Sequence, residues 1–219
     1  MNEDDRPSSS MEAAIDSSEL ISLSKDYGEI AIDGMLDEGV LRDLPLVGSV
    51  VGVVSFGSSV SKMLFAKKIY KFLFQLASIP DYQRRIEIQD INRSKDHQSS
   101  VGTTLIELLD KIDSDFKPEI LGKMFVSVLK GNTSYVDFLR AAHVLNNTFY
   151  YDLLELKKHC KENIVVGLEI KDTIFHSGLT TTDFAGGFSE FMDDSDAKKV
   201  ESKTSLSSLG ELVVNIGMA

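Results

Sequence analysis

From Leu44 to Ser61 the chain runs eighteen residues without a charge, and it then turns basic at Lys62, Lys67, Lys68 and Lys71. A bilayer span needs about 20 predominantly apolar residues, with roughly 17 as the floor. The length of this segment therefore suffices, while its three glycines and five serines dilute its hydrophobicity. Three placements stay open: insertion into or through a bilayer, a buried helix of a bundle, and a helix laid in the groove of a partner protein. Gly48 and Gly52 form a Gly-x-x-x-Gly pair, and Ser55 and Ser59 extend the same helical face. That spacing lets helix backbones approach closely in lipid, and it serves a soluble core equally well.

The lysines that follow bear on the choice. Lys67, Lys68 and Lys71 interleave with Phe65, Ile69, Phe72 and Phe74. Such a basic, aromatic half suits an anionic headgroup surface, where each lysine contributes about 1 kcal/mol. On a bundle the same lysines would form a solvated face with their stems packed over the core. Arg84 and Arg85 enlarge the basic patch on a chain whose net charge is −11.

That charge excludes some partners. With 34 acidic against 23 basic residues the chain repels phosphate backbones at long range, so nucleic acid is disfavoured. Its 219 residues suffice for one sizeable core or a main domain with a small appendage, and 42% hydrophobic composition excludes wholesale disorder. Cys160 is the single cysteine and cannot close an intramolecular disulfide, which fits a reducing compartment. The first residues, Met1 to Ser10, are acidic and polar where a secretory signal would be basic and then apolar. A cytoplasmic protein is expected, with association to the inner membrane open.

Apolar spacing predicts a mainly α fold: a helical bundle built around a long apolar-to-basic helix and a helical hairpin, with a small α+β appendage resembling a winged helix. Residues 1–10 read as a disordered leader, 11–162 as the helical domain and 163–219 as the appendage. Ser9-x-x-Glu12 predicts a capping box opening a helix at Met11, and a glycine-interrupted helical face runs from Leu20 to Leu41. Pro45 opens the long helix, which continues from Leu46 to Ile79 before Pro80 stops it. Pro118 starts the first arm of the hairpin and Gly131 ends it in a left-handed turn. Asn132 or Thr133 caps the second arm, whose inward side carries Phe138, Leu139, Ala142, Leu145, Phe149, Leu153 and Leu156. Further on, Lys199 to Leu206 reads as a strand, followed by a helix through Ile216.

Catalytic and metal chemistry find no support in the residues. His97, His143, His159 and His176 lack ligand spacing. Asp113-Ser-Asp115 and Asp193 to Asp196 lack the glycine and closing glutamate of a calcium loop. Gly122-Lys123 has no glycine-rich loop before it. No catalytic, cofactor-binding or metal residue is named and no cofactor is expected. Phe149, Tyr150, Tyr151 and Asp152 go all round a helix, so Tyr150 or Tyr151 faces outward as a candidate protein contact or as a core-edge tyrosine with a wet hydroxyl.

Several stretches together suggest kinship: Asp43-Leu-Pro-Leu-Val-Gly-Ser, Lys67-Lys68-x-x-Lys-Phe-Leu, Lys117-Pro-Glu-Ile-Leu-Gly-Lys-Met-Phe, Gly131-x-x-x-Tyr-x-x-Phe-Leu and Asp152-Leu-Leu-x-Leu. Residues 37 to 160 thereby resemble a type of uncharacterised bacterial protein often encoded among mobile-element and phage-defence genes. The resemblance implies a bacterial cytosol, no known enzymatic activity and a membrane-acting effector role, and it supplies no functional residue. The expected function is a non-enzymatic protein whose Leu46–Ile79 helix engages an anionic membrane or self-associates, as a defence or toxin-like effector. Its candidate residues are Gly48, Gly52, Ser55, Ser59, Lys67, Lys68 and Lys71. The alternative is a soluble helical adaptor or regulatory protein whose winged-helix-like tail binds a protein partner; Tyr150 and Tyr151 are separate candidate partner contacts.

Overall fold

All four prolines of the chain stand at helix starts, where a missing N–H costs little. The structure, a computed structural model, describes residues 7–21, 44–54, 58–94, 99–165, 172–184 and 202–219. Its helices are α1 (Pro7–Asp16), α2 (Pro45–Val53), α3 (Ser59–Leu76), α4 (Asp81–Arg93), α5 (Val101–Lys111), α6 (Lys117–Leu129), α7 (Tyr135–Asn147) and α8 (Tyr150–His159). Strands β1 (Cys160–Lys161) and β2 (Ile164–Val165), helix α9 (Asp172–Ser177) and strands β3 (Thr180–Phe184) and β4 (Ser202–Leu206) follow. Helix α10 (Ser208–Gly210) runs on into a π-wound stretch, Glu211–Gly217. The fold is mainly helical, as the spacing predicts, and a small four-stranded antiparallel sheet lies near the carboxyl end, where an α+β appendage with a strand at Lys199–Leu206 is expected. The expected helical face beyond residue 21, the acidic loop at Asp193–Asp196 and Ser55 lie outside the described residues.

The long helix expected from Leu46 to Ile79 is two helices. Val54 leaves α2 in an extended conformation, and Ser58, also extended, caps α3 by accepting a hydrogen bond from the Ser61 N–H at 3.2 Å. Apolar character carries on through this stretch, but valine, serine and glycine are poor helix formers and a serine cap offers the backbone another partner. Helix α2 buries Leu46, Val47, Val50 and Val51, and α3 buries Phe65, Ile69, Phe72, Leu73 and Leu76. The segment is thus largely core.

Helix α3 packs on α6. Phe125 of α6 sits between Phe72, at 5.8 Å between ring centroids, and Phe138 of α7, at 5.2 Å. Gly122 makes that approach sterically feasible: a Cβ there would meet the Phe72 carbonyl oxygen at 2.9 Å and Gln75 Cγ at 2.8 Å. The hairpin is as expected up to its cap. Gly131 is left-handed (φ 70°), with its own N–H on the Val128 carbonyl at 2.8 Å and that of Asn132 on Ser127 at 3.0 Å, the two bonds of a Schellman turn. The cap of α7 is Ser134, two residues beyond the earliest expected position, whose hydroxyl accepts from the Asp137 N–H at 3.1 Å and donates to its carboxylate at 2.7 Å.

The second arm ends sooner than its stripe of apolar residues suggests. Thr148 is extended, with its hydroxyl turned back onto the Val144 carbonyl at 2.8 Å, and the Asn147 amide likewise donates to His143 O at 2.8 Å. Side-chain bonds of this kind compete with helix continuation. Phe149 then stands outside α8, so it is 61% exposed and not inward-facing, while Leu153 and Leu156 remain buried.

At the amino end the helix begins at Pro7, four residues before the expected start, and Glu12 makes no capping box. Its carboxylate instead accepts from the Gly102 N–H at the start of α5, 2.9 Å away. Arg84, expected on the outward basic patch, is fully buried. Its guanidinium donates to Ile15 O and Ser17 O at 2.6 Å each, to Leu76 O at 3.3 Å and to Ile79 O, closing the carboxyl ends of α1 and α3 together.

The sheet has the order β1-β2-β4-β3, and β1 and β2 join through Glu162 and Asn163, both at positive φ. The π-wound stretch buries Leu212, Val213 and Val214 in the common core and packs on α6.

Candidate functional site

Helices α5 and α6 are joined by residues 112–116, and lysines hold this loop from two sides. From α3, the buried Lys67 places its ammonium 2.9 Å from Asp115 Oδ2. Lys68 donates to the Asp110 carbonyl at 3.2 Å and Lys71 to the Asp115 carbonyl at 2.8 Å. From α6, the fully buried Lys117 reaches Asp113 Oδ1 at 2.6 Å and the Asn146 carbonyl at 3.3 Å. The hydrogen bond from Lys117 holds the Asp113 carboxyl below its ordinary range, and that from Lys67 does the same for Asp115. Burial pushes the Lys68 ammonium down, opposed by Asp110, Asp115 and Asp113.

The loop ends in Phe116, 53% exposed, and four rings run from it across the surface. Phe116 stacks on Tyr150 at 4.8 Å with planes 11° apart. Tyr150 meets Tyr151 edge-on at 5.9 Å, and Tyr151 meets Phe149 at 5.4 Å. Lys71 Nζ lies 5.6 Å from the Phe116 centroid, within cation–π range. Phe149 and Tyr151 are 61% and 63% exposed, and the part-exposed Leu154 extends the surface one turn along α8. Burial raises the Tyr150 phenol, and Glu119 and Tyr151 add to the shift.

Of the residues singled out from the sequence, Tyr150 and Tyr151 join this patch and Lys71 edges it, while Lys68 lies on the Asp110 carbonyl. Lys67 is buried in its ion pair with Asp115. Gly48 and Gly52 belong to α2, away from its buried side: Gly48 is half-buried, and Gly52 is exposed with nothing within 4 Å of a Cβ built on it. Ser59 opens α3, beyond the break, so it does not continue a single helical face with them. Phe116 has no place in the apolar pattern, and Phe149, inward by that pattern, is exposed. Phe116 follows Asp-Ser-Asp and directly precedes a Lys-Pro helix start, a position where a ring has no helical face to enter.

Among the described residues no group of His, Cys, Asp and Glu is placed to hold a metal ion, and no helix is long and apolar enough to cross a membrane. Comparison with known proteins gave no match to a family model, a curated protein or a solved structure.

Proposed function

We propose that this protein is an adaptor that binds a partner protein through the cluster Phe116, Phe149, Tyr150 and Tyr151. The observation that carries the proposal is a run of four rings, each in contact with the next, three of them more than half exposed, with the Lys71 ammonium beside the Phe116 ring. An aromatic centre with a charged rim is the composition of protein interfaces, and tyrosine is enriched among the residues that dominate their energy. The rim also separates a protein partner from an anionic surface. Lysines 67, 68 and 71 lie against Asp110, Asp113 and Asp115, whose charges offset theirs, so the field offered to lipid headgroups is weak.

The test is a photo-crosslinking residue at Tyr151 in the full chain, with the exposed Tyr82 of α4 as the control position. A discrete adduct with another protein at position 151 and none at 82 supports the proposal. An adduct of twice the chain's mass, lipid labelling, or the same products at both positions overturns it.

A second reading rests on exposed positions of the two helices, Gly52 in α2 and Val60 and Leu64 in α3. Self-association or membrane engagement by the Leu46–Ile79 segment, with the effector role implied by the bacterial resemblance, would use those positions. Gly52→Leu would then abolish assembly by holding backbones apart, and it would leave crosslinking at 151 untouched.

A further inference from the structure

We infer that the 112–116 loop is a charge-held latch: Lys67, Lys71 and Lys117 act as positioning residues that keep Phe116 stacked on Tyr150, and neutralising Asp113 and Asp115 dismantles the aromatic patch without unfolding the chain. This rests on reading that patch as the contact surface. Little apolar burial holds the middle of the loop. Ile112 is buried at one end and Lys117 and Pro118 at the other, but Asp113, Asp115 and Phe116 between them are exposed. Apart from the Phe116 ring, which lies on Tyr150 and near the Lys71 ammonium, their contacts are polar. Lys117 and Lys67 hold the two carboxylates, Lys71 holds the Asp115 carbonyl, and the Phe116 N–H lies on the Ser114 hydroxyl at 3.2 Å.

Both ion-paired lysines are buried while their carboxylate partners are largely exposed. A buried ammonium is tolerated when an anion satisfies it and becomes costly when the anion is lost. Removing the aspartates would therefore leave Lys67 and Lys117 without the anions through which they tie the loop to α3 and α6. The groups facing Asp113 are Lys117 and Lys68, and those facing Asp115 are Lys67, Lys71 and Lys68, with Asp110 beside Lys68. Every cation in that set favours the ionised carboxylates, in keeping with their depressed pKa values. The latch is closed at neutral pH and opens as pH falls through those values, below the ordinary carboxylate pKa of about 3.9. A closed latch presents Phe116 pre-ordered, which lowers the entropy lost on binding.

The chain has no tryptophan, so Phe116→Trp places a single reporter in the stack. Its emission and acrylamide quenching are to be read in the full chain at pH 7, alone and combined with Asp113→Asn and Asp115→Asn, with far-ultraviolet circular dichroism as the check on folding. The expected result is a shielded indole in the parent and a red-shifted, more readily quenched one in the Asn variant, with helix content unchanged. Lys71→Met should shift the emission the same way and Lys71→Arg should restore it, which keeps the inference testable if the double Asn variant does not fold. Identical emission and quenching in all four backgrounds would overturn it. No partner is needed for this readout, so a negative crosslink at 151 with a responsive indole would sink the adaptor reading and leave the latch standing.

Discussion

Arg84 binds four backbone carbonyls from two helix ends and is fully buried. A hydrogen bond to a charged group contributes about 1.5–3 kcal/mol, and a buried carbonyl left without its donor adds a penalty. Arg84→Met should therefore cost at least about 3 kcal/mol in urea unfolding, and Arg84→Lys should not rescue it, because an ammonium lacks the planar fork. Two kinds of aspartate respond to acid with opposite sign. Asp113 and Asp115 have folded-state pKa values held down by lysine hydrogen bonds, so their contribution is present above the unfolded carboxylate value and is lost as pH falls through the folded ones. The stability difference between wild type and Asp113→Asn/Asp115→Asn should thus be full at pH 7 and vanish in acid. Asp16 is pushed up by burial, and its Oδ1 is buried without a hydrogen-bond partner. Its ionised form opposes folding above the raised pKa, so Asp16→Asn should be neutral or stabilising at pH 7 and lose that advantage as pH drops. Arg84 and Lys67 look like surface cations in the sequence because nothing local signals burial. Lys67 pairs with an aspartate 48 positions away, and two of the four carbonyls that hold Arg84 lie 67 and 69 positions away along the chain.

Two glycines at the scale of elements separate close packing from open space. Gly122 faces the Phe72 carbonyl and Gln75, so Gly122→Ala should overpack the α3–α6 contact at a cost of about 1–3 kcal/mol. Gly52→Ala, with open space around it, should be neutral or stabilise α2 by up to about 1 kcal/mol. Chemical denaturation of both variants checks the pair. Helix starts at Pro45 and Pro118, the stop at Gly131 and the buried stripes of α6 and α7 are legible because each follows from local backbone chemistry. The breaks after Val53 and Asn147 are not, since apolar residues continue across both while serine, threonine and asparagine side chains take the backbone's hydrogen bonds. That second break is what turns Phe149 outward, so the site was legible only as Tyr150 and Tyr151.

Across the whole molecule, α3, α6, α7 and the π-wound stretch share one core, and Phe125 stands among Phe72 and Phe138 at its centre. Phe125→Ala should cost about 3–5 kcal/mol. The patch is the opposite case, since rings that are more than half exposed add little to folding. A chain at −11 keeps like-charged surfaces apart, and around these rings the lysines of α3 offset the loop's aspartates. The deciding measurement is crosslinking from a reporter at Leu154, beside the patch on α8, in wild type and in Phe149→Ala/Tyr151→Ala. Folding stability should stay within about 0.5 kcal/mol of wild type while the protein adduct disappears. A persistent adduct, or a loss of several kcal/mol of stability, would contradict the assignment of these rings to a partner.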